Sequence, residues 1–169
     1  DLIFDKAIHI KMSGCMNSCG QHMSADIGLH GSSIRVGDKV APAMQICLGG
    51  GVDNNGVGMA GDKVVKLPTK KMPEALRIIL DDYENHSDET EYFNNYYRRQ
   101  GKNYFYTLLK PFADPTKFVD DDYFDHGHEN YFTPEVGVGE CAGASYDMVG
   151  IIVNDAKIKQ EEANEAMQN

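Results

Sequence analysis

The stretch Met12-Ser-Gly-Cys15-Met-Asn-Ser-Cys19-Gly-Gln-His22 is the most informative part of this 169-residue chain. It places two cysteines four positions apart, flanked by glycines, directly after a run that reads as a strand. Two thiolates this close on a turn can converge on one metal ion or on two corners of an iron–sulfur cluster. The spacing alone also fits two small buried hydrophobic side chains. Cys15 and Cys19 are therefore candidate metal ligands, with that alternative open.

The residues that follow extend the pattern. The motif continues through Ala25-Asp-Ile-Gly28-Leu-His-Gly31, and Leu48–Gly51, Gly58–Val65 and Val65–Pro68 come after it in that order. Over residues 6–110 the chain resembles the sirohaem-containing nitrite and sulfite reductases, with its cysteines in the place of that family's second cysteine pair. We therefore expect the fold of the family's 4Fe–4S domain.

The resemblance implies roles for three residues of the motif. In the family, two cysteine pairs hold a [4Fe–4S] cluster, and the last cysteine also bridges to the sirohaem iron. By position, Cys15 would bind the cluster, and Cys19 would bind both the cluster and the sirohaem iron. Asn17 stands where the family usually has asparagine and would help to orient the loop, whereas Met16 replaces the usual proline. The implied reaction is the reduction of nitrite or sulfite with electrons from a donor such as ferredoxin.

The remaining cysteines do not complete this ligand set. No cysteine precedes Cys15, and Cys47 and Cys141 are isolated from each other in the sequence. Cys47 lies in the apolar run Met44–Leu48 and is expected in the core. The resemblance thus implies the C-terminal portion of a larger reductase, whose upstream part supplies the first cysteine pair and the basic residues that hold the substrate. On its own, the chain is expected to bind neither sirohaem nor the cluster.

A second class of function stays open, an excised half-domain without redox activity that is free of cofactor or binds zinc. Two thiols and two imidazoles would hold the zinc, from Cys15, Cys19, His22 and His30. Such nitrogen and sulfur ligands suit a tetrahedral zinc site. Colour separates the two hypotheses, because sirohaem and iron–sulfur centres absorb visible light and zinc does not.

The composition predicts a soluble, cytoplasmic globular domain. The chain is 41% hydrophobic and 25% charged, and its length suits one core of ordinary size. Its four cysteines do not form the dense pattern of a disulfide framework. No apolar run is long enough to span a membrane, and the first residues have no signal-peptide pattern.

The net charge of −10 is unevenly distributed. Residues 1–80 contain nine Lys or Arg against seven Asp or Glu, whereas residues 81–169 contain seven against nineteen. An acidic balance argues against nucleic-acid binding, which needs a basic face. The one basic concentration could dock an acidic electron donor or could be a solvated face. This basic patch consists of Lys63, Lys66, Lys70, Lys71 and Arg77.

Apolar spacing predicts a mixed α/β (α+β) fold, a mixed sheet with flanking helices. Strands are expected over residues 3–10, 26–29, 33–36, 44–48 and 63–67. A short helix over residues 18–25 would direct its N-terminal amides at the cysteine sulfurs. Three more helices are expected, from Pro73, from Asp88 to about Gly101, and from Tyr104 to a stop at Pro111. Their aligned aromatic residues are expected to pack in the core.

The glycine-rich stretch Gly49–Gly61 has two interpretations. It precedes a strand rather than a helix, so it does not match a nucleotide-binding fingerprint. Its glycines could allow close approach to a large planar cofactor, or they could form a long β-hairpin loop.

The domain prediction divides the chain into three parts. Residues 1–110 form the C-terminal portion of the sirohaem and 4Fe–4S domain, residues 111–145 an acidic, aromatic clasp, and residues 146–169 the start of a helical segment. Within the clasp, His126 and His128 stand between carboxylates and could hold a divalent metal, although solvated side chains are the simpler interpretation.

Overall fold

A computed structural model describes residues 7–53 and 55–134 of the chain, all within the compact unit Asp1–Pro134. Half of the strand predicted over residues 3–10 lies outside these residues, and in the described half only Ile10 belongs to a strand. Cys141, the end of the clasp and the helical segment predicted over residues 146–169 also lie outside the described residues.

The centre of the described unit is a four-stranded mixed sheet, in which the strands lie side by side in the order of the chain. The strands are β1 (Ile10–Ser13), β2 (Ile27–Val36), β3 (Lys39–Leu48) and β6 (Asp62–Pro68). Strand β1 pairs with β2 in parallel, whereas β2 with β3 and β3 with β6 are antiparallel. With helices packed on it, this sheet confirms the predicted fold class.

Strand β2 is longer than the sequence pattern indicated. Two strands were expected, over residues 26–29 and 33–36, but the residues between them stay paired with β3 without a break. The register runs from Ile27 opposite Leu48 to Val36 opposite Lys39, and the turn that follows β2 contains Gly37 at a φ of 60°. Small residues at the middle of β2 hide the apolar alternation, because they carry little side chain to mark either face.

The glycine-rich stretch forms a small hairpin. Strands β4 (Gly51–Val52) and β5 (Gly58–Met59) pair antiparallel. Two of its glycines permit close approach of another group, but that group is part of the protein itself and not a cofactor. A Cβ at Gly49 would overlap the Tyr97 ring, and one at Gly50 would overlap the Met23 carbonyl oxygen.

Three helices follow the sheet, α1 (Met72–His86), α2 (Phe93–Gln100) and α3 (Lys102–Ala113). Helix α1 begins at Met72, one residue before Pro73, which was predicted as its first residue. Helix α2 ends beside Gly101 as predicted, but its predicted start at Asp88 is wrong. The predicted stop at Pro111 is wrong, because helix α3 continues to Ala113. Pro111 removes one backbone hydrogen bond, and this loss is tolerated because only two helical residues follow it.

The hydrophobic core lies between the sheet and these helices. From the sheet, Ile27 and Leu29 point into it and are at most 1% exposed. From the helices, the predicted aromatic stripe is core packing, with the rings of Tyr83 and Tyr96 5.3 Å apart and those of Tyr96 and Phe105 5.9 Å apart. Each large apolar side chain buried in this way contributes about 1.5–3 kcal/mol to folding.

Candidate functional site

The cysteine loop, residues 14–21, leaves the end of β1 and returns to the sheet beside β2. The helix predicted over residues 18–25 is wrong, because the structure forms only the short 3-10 helix His22–Ser24. Ser18 and Gln21 have φ angles of 63° and 56°, in the left-handed region that interrupts an α-helix. The loop therefore presents no α-helix N-terminus to the cysteines.

Both cysteines of the loop are exposed. This exposure excludes the interpretation of Cys15 and Cys19 as buried hydrophobic residues. Asn17 is also exposed, and it makes no hydrogen bond with any residue of the described part of the chain. Two apolar side chains of the same stretch of chain are exposed as well, Met12 at 58% and Met16 at 67%. The stretch that carries the two thiols thus exposes apolar surface.

One buried serine ties the loop to the sheet. Ser13 is the last residue of β1, and its hydroxyl accepts a hydrogen bond from the Gly20 amide at 3.0 Å. The same oxygen lies 2.8 Å from Nδ1 of His22, which is buried. These contacts close the loop between its two ends and set where the thiols emerge.

Three glycines let the backbone of this region pack directly on itself. A Cβ on Gly20 would overlap the carbonyl oxygen of Met12, one on Gly28 that of His22, and one on Gly31 that of Gly14. Close approach of this kind is open to glycine because it lacks a Cβ. The loop can therefore lie against β1 and β2 without intervening side chains.

A cleft of about 570 Å³ opens beside the loop. Small and apolar residues line most of it, among them Gly14, Pro42 and Met44. Asp125 and Phe132 line it from a later part of the chain. The cysteine loop is thus adjacent to a recess that could receive part of a larger group.

Of the four zinc ligands predicted from the sequence, only His22 and His30 come together. Among the described residues, the one group of three possible ligands is His22, His30 and Cys47, whose ligand atoms all lie within 4.8 Å of one another. Cys47 is fully buried, as predicted, whereas Cys15 and Cys19 lie outside this group. We call these three residues the His–Cys cluster.

Burial controls the protonation of the His–Cys cluster. It lowers the pKa of His22, helped by the neighbouring His30 and Lys63, so the imidazole is held neutral. It also raises the pKa of the Cys47 thiol, so the sulfur is held protonated.

The basic patch is only partly open. Lys70 pairs with Asp121 at 3.4 Å, and Lys71 pairs with Asp122 at 3.3 Å. Lys70 and Lys71 are thus neither an open docking surface nor a solvated face, because an acidic part of the same chain covers them. Lys63 and Arg77 are exposed and form no ion pair within the described ranges.

The two histidines of the predicted clasp do not form a three-ligand group with the described residues. Both are exposed, and Nε2 of His126 lies 3.3 Å from the carbonyl oxygen of Thr69. This placement favours the interpretation of His126 and His128 as solvated side chains.

A mixed α/β domain with an exposed cysteine pair defines the class of protein, and comparison with known proteins defines its family. Residues 4–104 match the family described as the nitrite and sulphite reductase 4Fe-4S domain. The match covers more than half of the chain, and the chain therefore belongs to this family.

Individual relatives agree with the family. The chain is 33% identical over 81 residues, 47% of its length, to a ferredoxin–nitrite reductase of Synechococcus elongatus. It is 29% identical over 121 residues, 69% of its length, to the sulfite reductase [NADPH] hemoprotein beta-component of Bacillus subtilis. The aligned parts are 15% and 18% of those two proteins, so the chain spans a small part of each.

A solved structure supports the fold. The structure of the Mycobacterium tuberculosis NirA protein superposes on 60% of this chain and 19% of its own, with a TM-score of 0.52 and 24% identity. No helix in the described part of the chain is both long and apolar enough to cross a membrane.

Proposed function

We propose that this chain is the part of a nitrite or sulfite reductase that supplies Cys15 and Cys19 to a [4Fe–4S] cluster. The observation that carries the proposal is that these two thiols are exposed on an anchored loop, whereas Cys47 is fully buried. Cluster ligands must reach a group that lies outside the core of this unit. The family match over residues 4–104 supports the assignment.

The exposed thiols fit half of the ligand set. A [4Fe–4S] cluster takes four cysteine thiolates, and the exposed surface of the described residues provides two. Met12 and Met16, in the same stretch of chain, also expose apolar side chains. Solvent exposure is one of the factors that set the potential of a cluster. We infer that another part of the complete enzyme covers this surface and brings the remaining two cysteines.

Three residues of the loop would have separate roles. Cys15 would bind the cluster, Cys19 would bind both the cluster and the sirohaem iron, and Asn17 would orient the loop near the cofactor. Ser13 would hold both ends of the loop in place through its contacts with Gly20 and His22. When bound, the two cofactors would supply the electrons for the reduction of nitrite or sulfite.

The substrate and the donor follow from the relatives' names. Those names include a ferredoxin–nitrite reductase and an NADPH sulfite reductase component, so nitrite or sulfite as substrate and ferredoxin as donor are our proposals for the complete enzyme. A cytoplasmic location and the absence of both cofactors from the isolated chain stay predictions.

Cysteine variants of the complete enzyme test the shared ligand. Cys19→Ser is expected to abolish reductase turnover and to change the sirohaem and cluster spectra together. Cys15→Ser is expected to damage mainly the cluster signal in electron paramagnetic resonance. The matched control is Ser24→Ala, because Ser24 is exposed beside the loop and only its backbone makes a hydrogen bond. Full activity of the Cys19→Ser enzyme would refute the bridging role.

A charge reversal tests the docking of an acidic donor. The open cations of the basic patch are Lys63 and Arg77, so Lys63→Glu with Arg77→Glu should slow ferredoxin association and flatten its salt dependence. Turnover with a small artificial reductant should be retained, because neither Lys63 nor Arg77 is one of the cofactor ligands proposed above. Equal loss with both reductants would show that these residues support structure instead.

A further inference from the structure

We propose that the His–Cys cluster is a buried binding site for a zinc ion, with His22, His30 and Cys47 as its protein ligands. The site is separate from the exposed pair Cys15 and Cys19, and it does not depend on the proposed reductase function. Two imidazoles and one thiolate are ligands that zinc prefers.

The sheet brings the ligands together through its register. In the antiparallel pair of β2 and β3, Gly28 lies opposite Cys47, and His30 is two residues further along β2. Alternation along a strand therefore places His30 and Cys47 on the same face, away from the apolar face formed by Ile27 and Leu29. The helices pack on that apolar face, and the His–Cys cluster lies on the other.

A glycine makes room for the third ligand. Gly28 lacks a side chain, and the backbone of His22 packs directly against its Cα. This contact brings His22 over the gap between His30 and Cys47, and its ring centroid lies 4.8 Å from that of His30. The 3-10 helix His22–Ser24 thus covers the site from outside the sheet.

One ligand atom points into the site without a partner. Nδ1 of His30 lies 3.1 Å from the carbonyl oxygen of Gly31, which can only accept a hydrogen bond, so this nitrogen carries the proton. Nε2 of the same ring is buried and has no hydrogen-bond partner among the described residues. His30 is 7% exposed, and a polar atom buried in this way is unfavourable unless a ligand or another partner satisfies it.

The second histidine has a similar arrangement. Its Nδ1 contacts the hydroxyl of Ser13 at 2.8 Å, which leaves Nε2 of His22 available to a metal. Protein zinc sites commonly hold each histidine through such a contact on the other ring nitrogen. Ser13 and the Gly31 carbonyl therefore act as positioning groups for the two rings.

The distances are close to those of a zinc site. All three ligand atoms lie within 4.8 Å of one another, whereas tetrahedral ligands of zinc are separated by about 3.3–3.7 Å. Side-chain rotations that shorten the longest of these separations by about 1 Å would give the spacing of a zinc site. The Cys47 thiol releases its proton to the solvent as the zinc–sulfur bond forms, and a water molecule takes the fourth position.

Zinc binding to the 169-residue chain tests this proposal. The experiment uses Cys15→Ser with Cys19→Ser as background, so that the exposed thiols do not bind the added metal. Isothermal titration with ZnCl₂ is expected to give one site, and Co²⁺ is expected to give a thiolate charge-transfer band. Removal of a residue that only holds a metal ligand in position typically weakens metal binding roughly 10–100-fold. Ser13→Ala, which removes such a contact with His22, should fall within that range. Cys47→Ser and His30→Gln each remove a ligand and should weaken zinc binding by more than this.

Controls separate ligand loss from unfolding. Ser24→Ala should leave zinc affinity unchanged, because only its backbone makes a hydrogen bond. His30→Leu provides a second variant that suits a buried position, and circular dichroism shows that each variant is folded. A folded background protein without stoichiometric zinc binding, or with binding unaffected by Cys47→Ser and His30→Gln, would overturn the proposal. Neither readout requires iron or reductase activity, so failure of the proposed function would leave this test intact.

Discussion

At the scale of single residues, glycines set the position of the cysteine loop. Gly31 on β2 lies so close to the carbonyl oxygen of Gly14 that no side chain fits between them. Gly14 itself has open space around the position of a Cβ. The same substitution at these two positions should therefore have very different effects, although both glycines belong to one contact.

Gly31→Ala is expected to lower the free energy of unfolding by about 1–3 kcal/mol, because the added methyl group must displace backbone. Gly14→Ala should change it by less than about 0.5 kcal/mol, as is usual at an unobstructed surface position. Urea unfolding followed by circular dichroism measures both. Equal effects would show that the close contact does not limit the packing of the loop.

At the scale of elements, one buried carboxylate joins the three helices. Asp82 of α1 accepts hydrogen bonds from the hydroxyls of Tyr96 on α2 and Tyr104 on α3, both at 2.6 Å. The pKa of Tyr96 is raised, mainly by burial, and that of Tyr104 mainly by the hydrogen bond to Asp82. Both hydroxyls therefore stay protonated and donate. The helix packing depends on this polar contact as well as on the aromatic rings.

Asp82→Ala should destabilise the unit by about 2–4 kcal/mol. The substitution removes the carboxylate that accepts hydrogen bonds from the buried Tyr96 hydroxyl and from the Tyr104 hydroxyl. Tyr104→Phe, which removes one donor and leaves the carboxylate its other partner, should cost about 1 kcal/mol. Denaturant unfolding midpoints compare them. If the two variants lost the same stability, Asp82 would not be the shared partner of both helices.

At the scale of the whole described unit, an acidic segment, residues 114–132, folds back onto the sheet and the start of α1. Lys39 of β3 pairs with Asp120 at 2.7 Å, and Lys71 lies 4.7 Å from the centre of the Phe118 ring. Asp122 is 2% exposed, and besides its pair with Lys71 it accepts a hydrogen bond from the Val119 amide at 2.9 Å. The segment is therefore fastened by charge at several points, with Asp122 the most buried of them.

Asp122→Ala is expected to cost about 1.5–3 kcal/mol, since it removes charge-assisted hydrogen bonds at a buried position. Asp121→Ala, which removes an exposed pair with Lys70, should cost less than about 1 kcal/mol. Limited proteolysis should show faster cleavage within the acidic segment for Asp122→Ala alone. Equal protection of the two variants would contradict a fastening role for Asp122.

These contacts change the meaning of the basic patch. From the sequence, Lys70 and Lys71 were as good candidates for donor docking as the other cations. Their partners, Asp121 and Asp122, lie about 50 residues further along the chain, and nothing in the local pattern of either stretch indicates the pairing. Reversal of these two lysines would therefore act first on the acidic segment.

The sequence by itself determined the family, the mixed α/β class and most of the elements. Helix α1, strand β6 and the second half of β3 follow from apolar spacing, because the period of an element is set by its own backbone geometry. The first half of β3, from Lys39, was not predicted. The exposed loop cysteines were recognised from the motif around Cys15 and Cys19, where residue type and spacing limit the chemistry.

Only the tertiary structure decided which distant residues meet. The approach of His22, His30 and Cys47 depends on the register of β2 against β3 and on the space above Gly28, and both are properties of paired strands. The left-handed residues Ser18 and Gln21 replace the predicted helix for the same kind of reason, since the loop has to close between two fixed strands. Local patterns describe elements, whereas a site formed between elements requires their relative positions.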